Sequence, residues 1–312
     1  MISTGKIVQP SRGFTLVELL VGMVLSIFIS GVAFTYMASS TKSFRVLTND
    51  SVIQENARFA LEILTQNFRL AGRNETNDFS RVLSVVFRGS ICSNDEDGVA
   101  DNSAGPAICT IDNLANNSDR VAIDYLVSAA GSGVAVNFTG CNGHTITVPA
   151  GGNVRLASVF WSADIDGDLI RSLYCQTFNV DTGLAEGVAL PLIEGVDRFQ
   201  VQYGADTAVD GAAADAINFD GVIDRYQSFS NLINVDPALS AVDPEIVSNT
   251  IKRVRAIRMA LLLNSGTGVA QDSSTEEDVT KSYTLLDGAV DTYSDRRLRK
   301  VFSTTVLIPN TK

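Results

Sequence analysis

One carboxylate at the head of a long uncharged apolar stretch is the most unusual chemistry in this chain. Glu18 lies inside an apolar run from Phe14 to about Ala38, and no residue from Leu19 to Thr41 carries a formal charge. A carboxylate in or beside hydrocarbon is costly unless a cation meets it, so Glu18 points to ion pairing. Four cysteines follow: Cys92, Cys109, Cys141 and Cys175. None is spaced as CxxC, which gives no support to a redox or zinc site and favours disulfides in an oxidising compartment. Of the three possible connectivities, we favour Cys92–Cys109, which closes a polar loop, and Cys141–Cys175, which ties strands. Acidic clusters raise the question of calcium. In Asp164-Ile165-Asp166-Gly167-Asp168 the glycine stands fourth and Cys175 twelfth, so the segment reads as a hairpin turn. Asp206, Asp210 and Gly211 occupy EF-like positions one, five and six, and Asp220 and Asp224 extend that cluster. Ile217 stands where the twelfth-position acid belongs, so a solvated loop is favoured over a calcium site. The single histidine, His144, excludes a multi-histidine metal site. Gly131-Ser132-Gly133 is half a nucleotide fingerprint without a following helix, and Trp161 sits in an apolar strand-like run; all three features read as structural. No catalytic residue and no cofactor are expected.

These residues need elements to hold them. The chain has 312 residues, with 24 Lys and Arg against 35 Asp and Glu, a net charge of −11 that argues against a nucleic-acid binder. With 45% hydrophobic and 19% charged residues, wholesale disorder is excluded. Lys6 and Arg12 precede the apolar run, and the basic leader favours a cytoplasmic N-terminus. At about 1.5 Å per residue the uncharged stretch spans roughly 35 Å, enough to cross a bilayer core. The helical pattern then continues through Phe44, Leu47, Val52, Ala57, Leu61, Leu64, Phe68 and Ala71, with Gly72 as a stop. One helix over about 15–71 is predicted, its second half amphipathic. Residues 73–120 are polar apart from a strand-like run at 82–87. Strands are predicted at 120–127, 134–139, 144–148, 154–161, 169–178, 188–194, 196–203, 251–263, 281–286 and 300–308. Residues 204–250 read as a long loop with short helical turns. Arg296, Arg297, Arg299 and Lys300 form a local basic run within this acidic chain.

Gly13-Phe14-Thr15-Leu16-Val17-Glu18 closely resembles the class III leader junction of type IV pilins and type II secretion pseudopilins. The resemblance implies a leader over 1–13, cleavage by a prepilin peptidase between Gly13 and Phe14, and N-methylation of the new Phe14 amine. Glu18 then becomes the fifth mature residue, where those proteins carry an assembly glutamate that meets a neighbour's N-terminal amine. Thr35 stands where major pilins often have a proline, a departure that weakens any inference from helix melting in major pilins. Further segments resemble the PilW family of minor pilins: Gln54 to Leu61, Arg69 to Gly72, Gly195 to Gly204, Val254 to Leu263 and Arg296 to Val306. The fold so implied is α+β and type IV pilin-like. A membrane and fibre-core helix over 14–41 continues as an amphipathic helix over 42–72, packed on a β-rich periplasmic head over 73–312. The function implied is a non-enzymatic minor pilin that takes part in pilus assembly or initiation, in a complex close to the tip. Its partners would be other minor pilins, the major pilin, the prepilin peptidase, the assembly machinery of the inner membrane and a tip adhesin, with no nucleic acid. The protein would sit single-pass in the inner membrane before entering the fibre. A minor pseudopilin of type II secretion and a signal-anchored periplasmic enzyme or binding protein are the rival readings.

Overall fold

The apolar run and its amphipathic continuation form one 53-residue helix, α1 (Leu16–Phe68), unbroken by proline. In this computed structural model the described residues are 13, 15–71, 108, 110–112, 117–164, 170–205, 222–233, 254–266, 280–295 and 297–308. The chain divides into two compact units, Met1–Thr48 and Asn49–Lys312.

In the first unit the large apolar side chains of α1 are exposed throughout, from Leu16 to Leu47. Its hydroxyls turn back on the helix: Ser26 donates to the Gly22 carbonyl at 2.7 Å, Thr35 to Val32 at 2.8 Å and Thr41 to Met37 at 2.9 Å. Such bonds leave these hydroxyls satisfied in an apolar surrounding.

In the second unit the last turns of α1 bury Ile53, Ala57, Ala60, Leu64 and Phe68. These recur at three- and four-residue steps and line one face. The stripe shares Ala57, Leu64, Phe68 and Ala71 with the predicted one and departs from it at two places: Ile53 is buried beside a Val52 that is 47% exposed, and Ala60 is buried beside a Leu61 that packs on the core only in part. Phe68 meets Phe160 edge-on at 5.7 Å. After Phe68 the chain leaves the helix in a turn over 69–71.

Two four-stranded antiparallel sheets share this core. The first has the order β1-β4-β5-β6, from β1 (Val121–Ser128), β4 (Asn153–Ala163), β5 (Ser172–Asn179) and β6 (Leu184–Glu194). The second has the order β12-β9-β7-β8, from β7 (Val196–Ala205), β8 (Arg225–Gln227), β9 (Val254–Asn264) and β12 (Arg299–Leu307). A hairpin of β2 (Val136–Thr139) and β3 (Thr145–Val148) and another of β10 (Lys281–Tyr283) and β11 (Asp291–Tyr293) complete the strands among the described residues. A five-residue helix, α2 (Phe229–Ile233), follows β8. α2 is one of the short helical turns predicted within the 204–250 loop, whereas β8 and β11 were not anticipated. Strands of three residues carry too few side chains to show a period.

Gly195 alone joins β6 to β7 and so passes the chain from one sheet to the other. Its φ is +78°, and an added Cβ would stand 2.8 Å from the Asn264 carbonyl oxygen. Both its backbone groups are engaged: its N–H donates to Arg171 at 2.9 Å and its carbonyl accepts from Asn264 at 2.7 Å. Gly195→Ala is therefore expected to lower stability by about 1–3 kcal/mol. A urea titration of the detergent-solubilised full chain measures this, and an unchanged midpoint would contradict it.

Candidate functional site

Two places carry the candidate residues. The first is the start of α1. Thr15 precedes the helix, and Thr15-Leu16-Val17-Glu18 forms a capping box. The Glu18 N–H donates to Thr15 Oγ1 at 3.2 Å. In return the Thr15 N–H and hydroxyl donate to Glu18 Oε2 at 3.0 and 3.1 Å. Both return contacts fall on one carboxylate oxygen. A carboxylate offers about four acceptor sites, so Oε1 keeps its capacity for a cation while the cap stays intact. Gly13 is exposed, and Phe14 lies outside the described residues. The cap was legible as a T-x-x-E spacing, but the sequence reading assigned Glu18 an intermolecular role alone.

The second place is the head. Cys141 and Cys175 are joined by a disulfide with 6.1 Å between Cα atoms. Cys92 and Cys109 lie outside the described residues. The bridge holds the β2–β3 turn against β5. Beside it, the Cys141 N–H donates to Thr177 Oγ1 at 3.0 Å. The Asn142 amide donates to the carbonyls of Glu186 at 2.7 Å and Val188 at 2.9 Å. His144 Nε2 stands 4.0 Å from a Glu186 oxygen at a half-exposed position, a surface contact of small energetic weight. Cys141→Ser is expected to cost about 3–4 kcal/mol by loop closure across 34 residues. The check is the denaturation midpoint of the full chain with and without reductant. Equal midpoints would overturn it.

The basic run does not form an open patch. Arg299 is buried, its Nε donating to Asp197 Oδ2 at 2.6 Å and its Nη2 to Asp295 Oδ2 at 2.7 Å, with the guanidinium 3.8 Å over the Tyr293 ring. Asn264 completes the Asp197 shell with a 2.6 Å bond to Oδ1. Arg297 stands 3.7 Å from Asp295, and Lys300 pairs with Asp50 on α1. Arg296 lies outside the described residues. The three described cations are thus neutralised internally. The two carboxylates of the Arg299 cluster are pushed in opposite directions. Burial raises the Asp197 carboxyl, with Arg299 opposing, whereas hydrogen bonds from Arg299 hold that of Asp295 below its ordinary value. A second buried arginine, Arg198, donates to the Asn117 carbonyl at 2.7 Å and pairs with Asp291, which fastens β7 to the β10–β11 hairpin. Neither cluster was visible in the sequence, because partners such as Asp197 and Arg299 lie 102 residues apart.

The remaining candidates separate. Trp161 is buried, stacked on Tyr174 at 5.9 Å, and so belongs to the core. Asp206, Asp210 and Asp220 lie outside the described residues, and Asp224 is an exposed residue whose N–H donates to the Ala205 carbonyl at 3.1 Å. Among the described residues no three His, Cys, Asp or Glu side chains are grouped to hold a metal.

Residues 160–310 match the family model described as Type IV Pilus-assembly protein W. Residues 9–34 match the prokaryotic N-terminal methylation motif. The pilin-like protein PilA3 of Thermus thermophilus is 33% identical over 66 residues, which are 21% of this chain and 28% of that protein. The match thus spans under a third of that relative's length. A solved structure, the type IV-like pilin TTHA1219 from Thermus thermophilus, aligns over 83% of this chain and 97% of its own, with 14% identity and a TM-score of 0.36.

Proposed function

We propose, on the premise that this chain is a type IV pilus-related pilin with a PilW-type domain and a prepilin methylation motif, that it is a minor subunit acting in pilus assembly or initiation. One observation carries the reading: the leader motif opens an apolar helix, exposed over its first half, and the PilW-type match covers the end of β4 and all of β5 to β12. A prepilin peptidase cuts between Gly13 and Phe14 on the cytoplasmic side, and the Phe14 amine is methylated. The helix holds the subunit in the inner membrane with the head in the periplasm, where cysteines oxidise. During assembly the apolar face passes into the fibre, and Glu18 meets the Phe14 amine of a neighbour. The open Oε1 supports this, since the neighbour's cation is met without loss of the helix cap. The pairing sets register between subunits more than it adds stability. The head then contacts other minor pilins, the major pilin or an adhesin near the tip. The role is structural and uses no cofactor.

A clean deletion scored in parallel for surface pili and for type II exoprotein release tests this. Lost or reduced pili with normal secretion is the expected result. Lost secretion with normal pili would reassign the chain to a pseudopilus.

A further inference from the structure

Strand register sets out the outer face of the second sheet in rows. On β9 the odd-numbered residues Ile257, Met259 and Leu261 join the core with the buried stripe of α1. The even-numbered side chains point to the opposite face. There Ala260 and Leu262 pack with Leu285, Tyr283 and Tyr293 of the β10–β11 hairpin and its turn. Two further rows lie beyond that cluster. One sets Thr305, Arg258 and Gln202 side by side on β12, β9 and β7. The next sets Leu307, Ala256, Gly204 and Tyr226 across β12, β9, β7 and β8. Directly opposed residues on neighbouring strands share a face, so these side chains meet.

Gly204 lets the second row be built in layers. A Cβ there would stand 2.8 Å from Tyr226 Cε1, so the ring lies against the backbone of β7. The Arg258 guanidinium in turn lies over that ring, 3.8 Å from its centroid. A stacked guanidinium is held in one orientation and keeps its five N–H donors at its edge. Among the described residues none accepts from Arg258, and the Gln202 amide, Tyr226 hydroxyl and Thr305 hydroxyl also have no partner. Arg258, Gln202 and Tyr226 are half-buried. Elsewhere in the head arginines meet carboxylates: Arg155 pairs with Asp124, Arg198 with Asp291, and Arg299 with Asp197 and Asp295. Arg258 offers the same donors, pre-positioned, and meets no acid.

We propose that this row binds a carboxylate, the Asp or Glu side chain of another pilus subunit, with Arg258 as the charged donor and Gln202 and Thr305 as neutral donors on either side. A planar carboxylate matches the parallel N–H pairs of a guanidinium. One arginine between two neutral donors suits a single negative charge. A nucleic-acid backbone needs a run of cations, and the net charge of −11 repels it. Leu307, 68% exposed in the adjoining row, offers an apolar contact to the methylene stem that carries the carboxylate. This rests on the reading of the chain as a pilus-assembly subunit.

The test uses the full-length chain in its own cells, with a photo-crosslinking amino acid at position 307, which supplies no hydrogen bond to the row. Adducts are identified by mass, and the deletion strain is scored for pili alongside. The expected adduct is with an acid-containing peptide of another subunit bearing a prepilin-type N-terminus. Arg258→Gln, which cannot pair bidentately, is expected to reduce the adduct about tenfold or more at unchanged protein level. Arg258→Glu is expected to abolish it, and exchanging the partner's crosslinked-peptide acid for lysine to restore it, a rescue that a merely structural arginine would not allow. An adduct with nucleic acid, with the chain itself or with a protein lacking that N-terminus overturns the carboxylate site, whatever the piliation result. So does no adduct, an adduct indifferent to Arg258→Gln, or a charge exchange that restores nothing. Normal pili in the deletion strain with the exchange-dependent adduct present would instead overturn the pilus reading and leave the site standing.

Discussion

Glu18→Ala is expected to abolish entry of this subunit into the fibre while its level in the membrane stays unchanged. The substitution removes the only formal charge between Thr15 and Thr41, so membrane insertion becomes easier. Under the proposed pairing, what is lost is the partner of a neighbour's buried amine. An uncompensated buried charge costs about 3–5 kcal/mol, or about 10²–10⁴-fold in the equilibrium for each such contact. The same substitution also removes the capping bonds with Thr15, worth about 1 kcal/mol to the helix. Glu18→Gln separates the two effects, because an amide oxygen still accepts from Thr15 but carries no charge. Immunogold counting of the subunit on sheared fibres reads the outcome. If Glu18→Gln enters fibres normally, the carboxylate serves the helix cap and the ion-pair role falls.

The second large effect lies in the head. Asp197→Ala is expected to destabilise it by about 3 kcal/mol, towards the lower end for breaking a buried pair, because Arg299 keeps Asp295. The loss also strands the Asn264 amide that now donates to Asp197. Removing both charges tells pairing from packing. Asp197→Leu combined with Arg299→Met leaves no unpaired buried ion and is expected to recover at least half of the loss. Urea midpoints of the full chain decide between them. A double variant as unstable as the single one would show that Arg299 matters through its stacking on Tyr293.

The long elements of this fold were legible because they carry many repeats of their period. The helix was predicted over about 15–71 and spans Leu16–Phe68. The long strands β4, β7, β9 and β12 fall within a few residues of their predicted places. The PilW-like segments at Gly195, Val254 and Arg296 land on β7, β9 and β12, three adjacent strands of one sheet. Two positions of the buried stripe on α1 were less clear. Val52 and Ile53 are equally apolar, and only the sheets decide which of them faces inward. The basic run at 296–300 misled for a related reason. Charge along a chain does not say where an acid 102 residues upstream will lie, and Asp197 turns Arg299 from a surface cation into a core brace. β8 and β11, at three residues each, exist by virtue of their neighbours and leave no local signature.

The single residue between β6 and β7 also sets how the head can yield. With Gly195 held by Arg171 on one side and Asn264 on the other, neither sheet has slack to move alone, so a load on one strand is carried by both sheets at once.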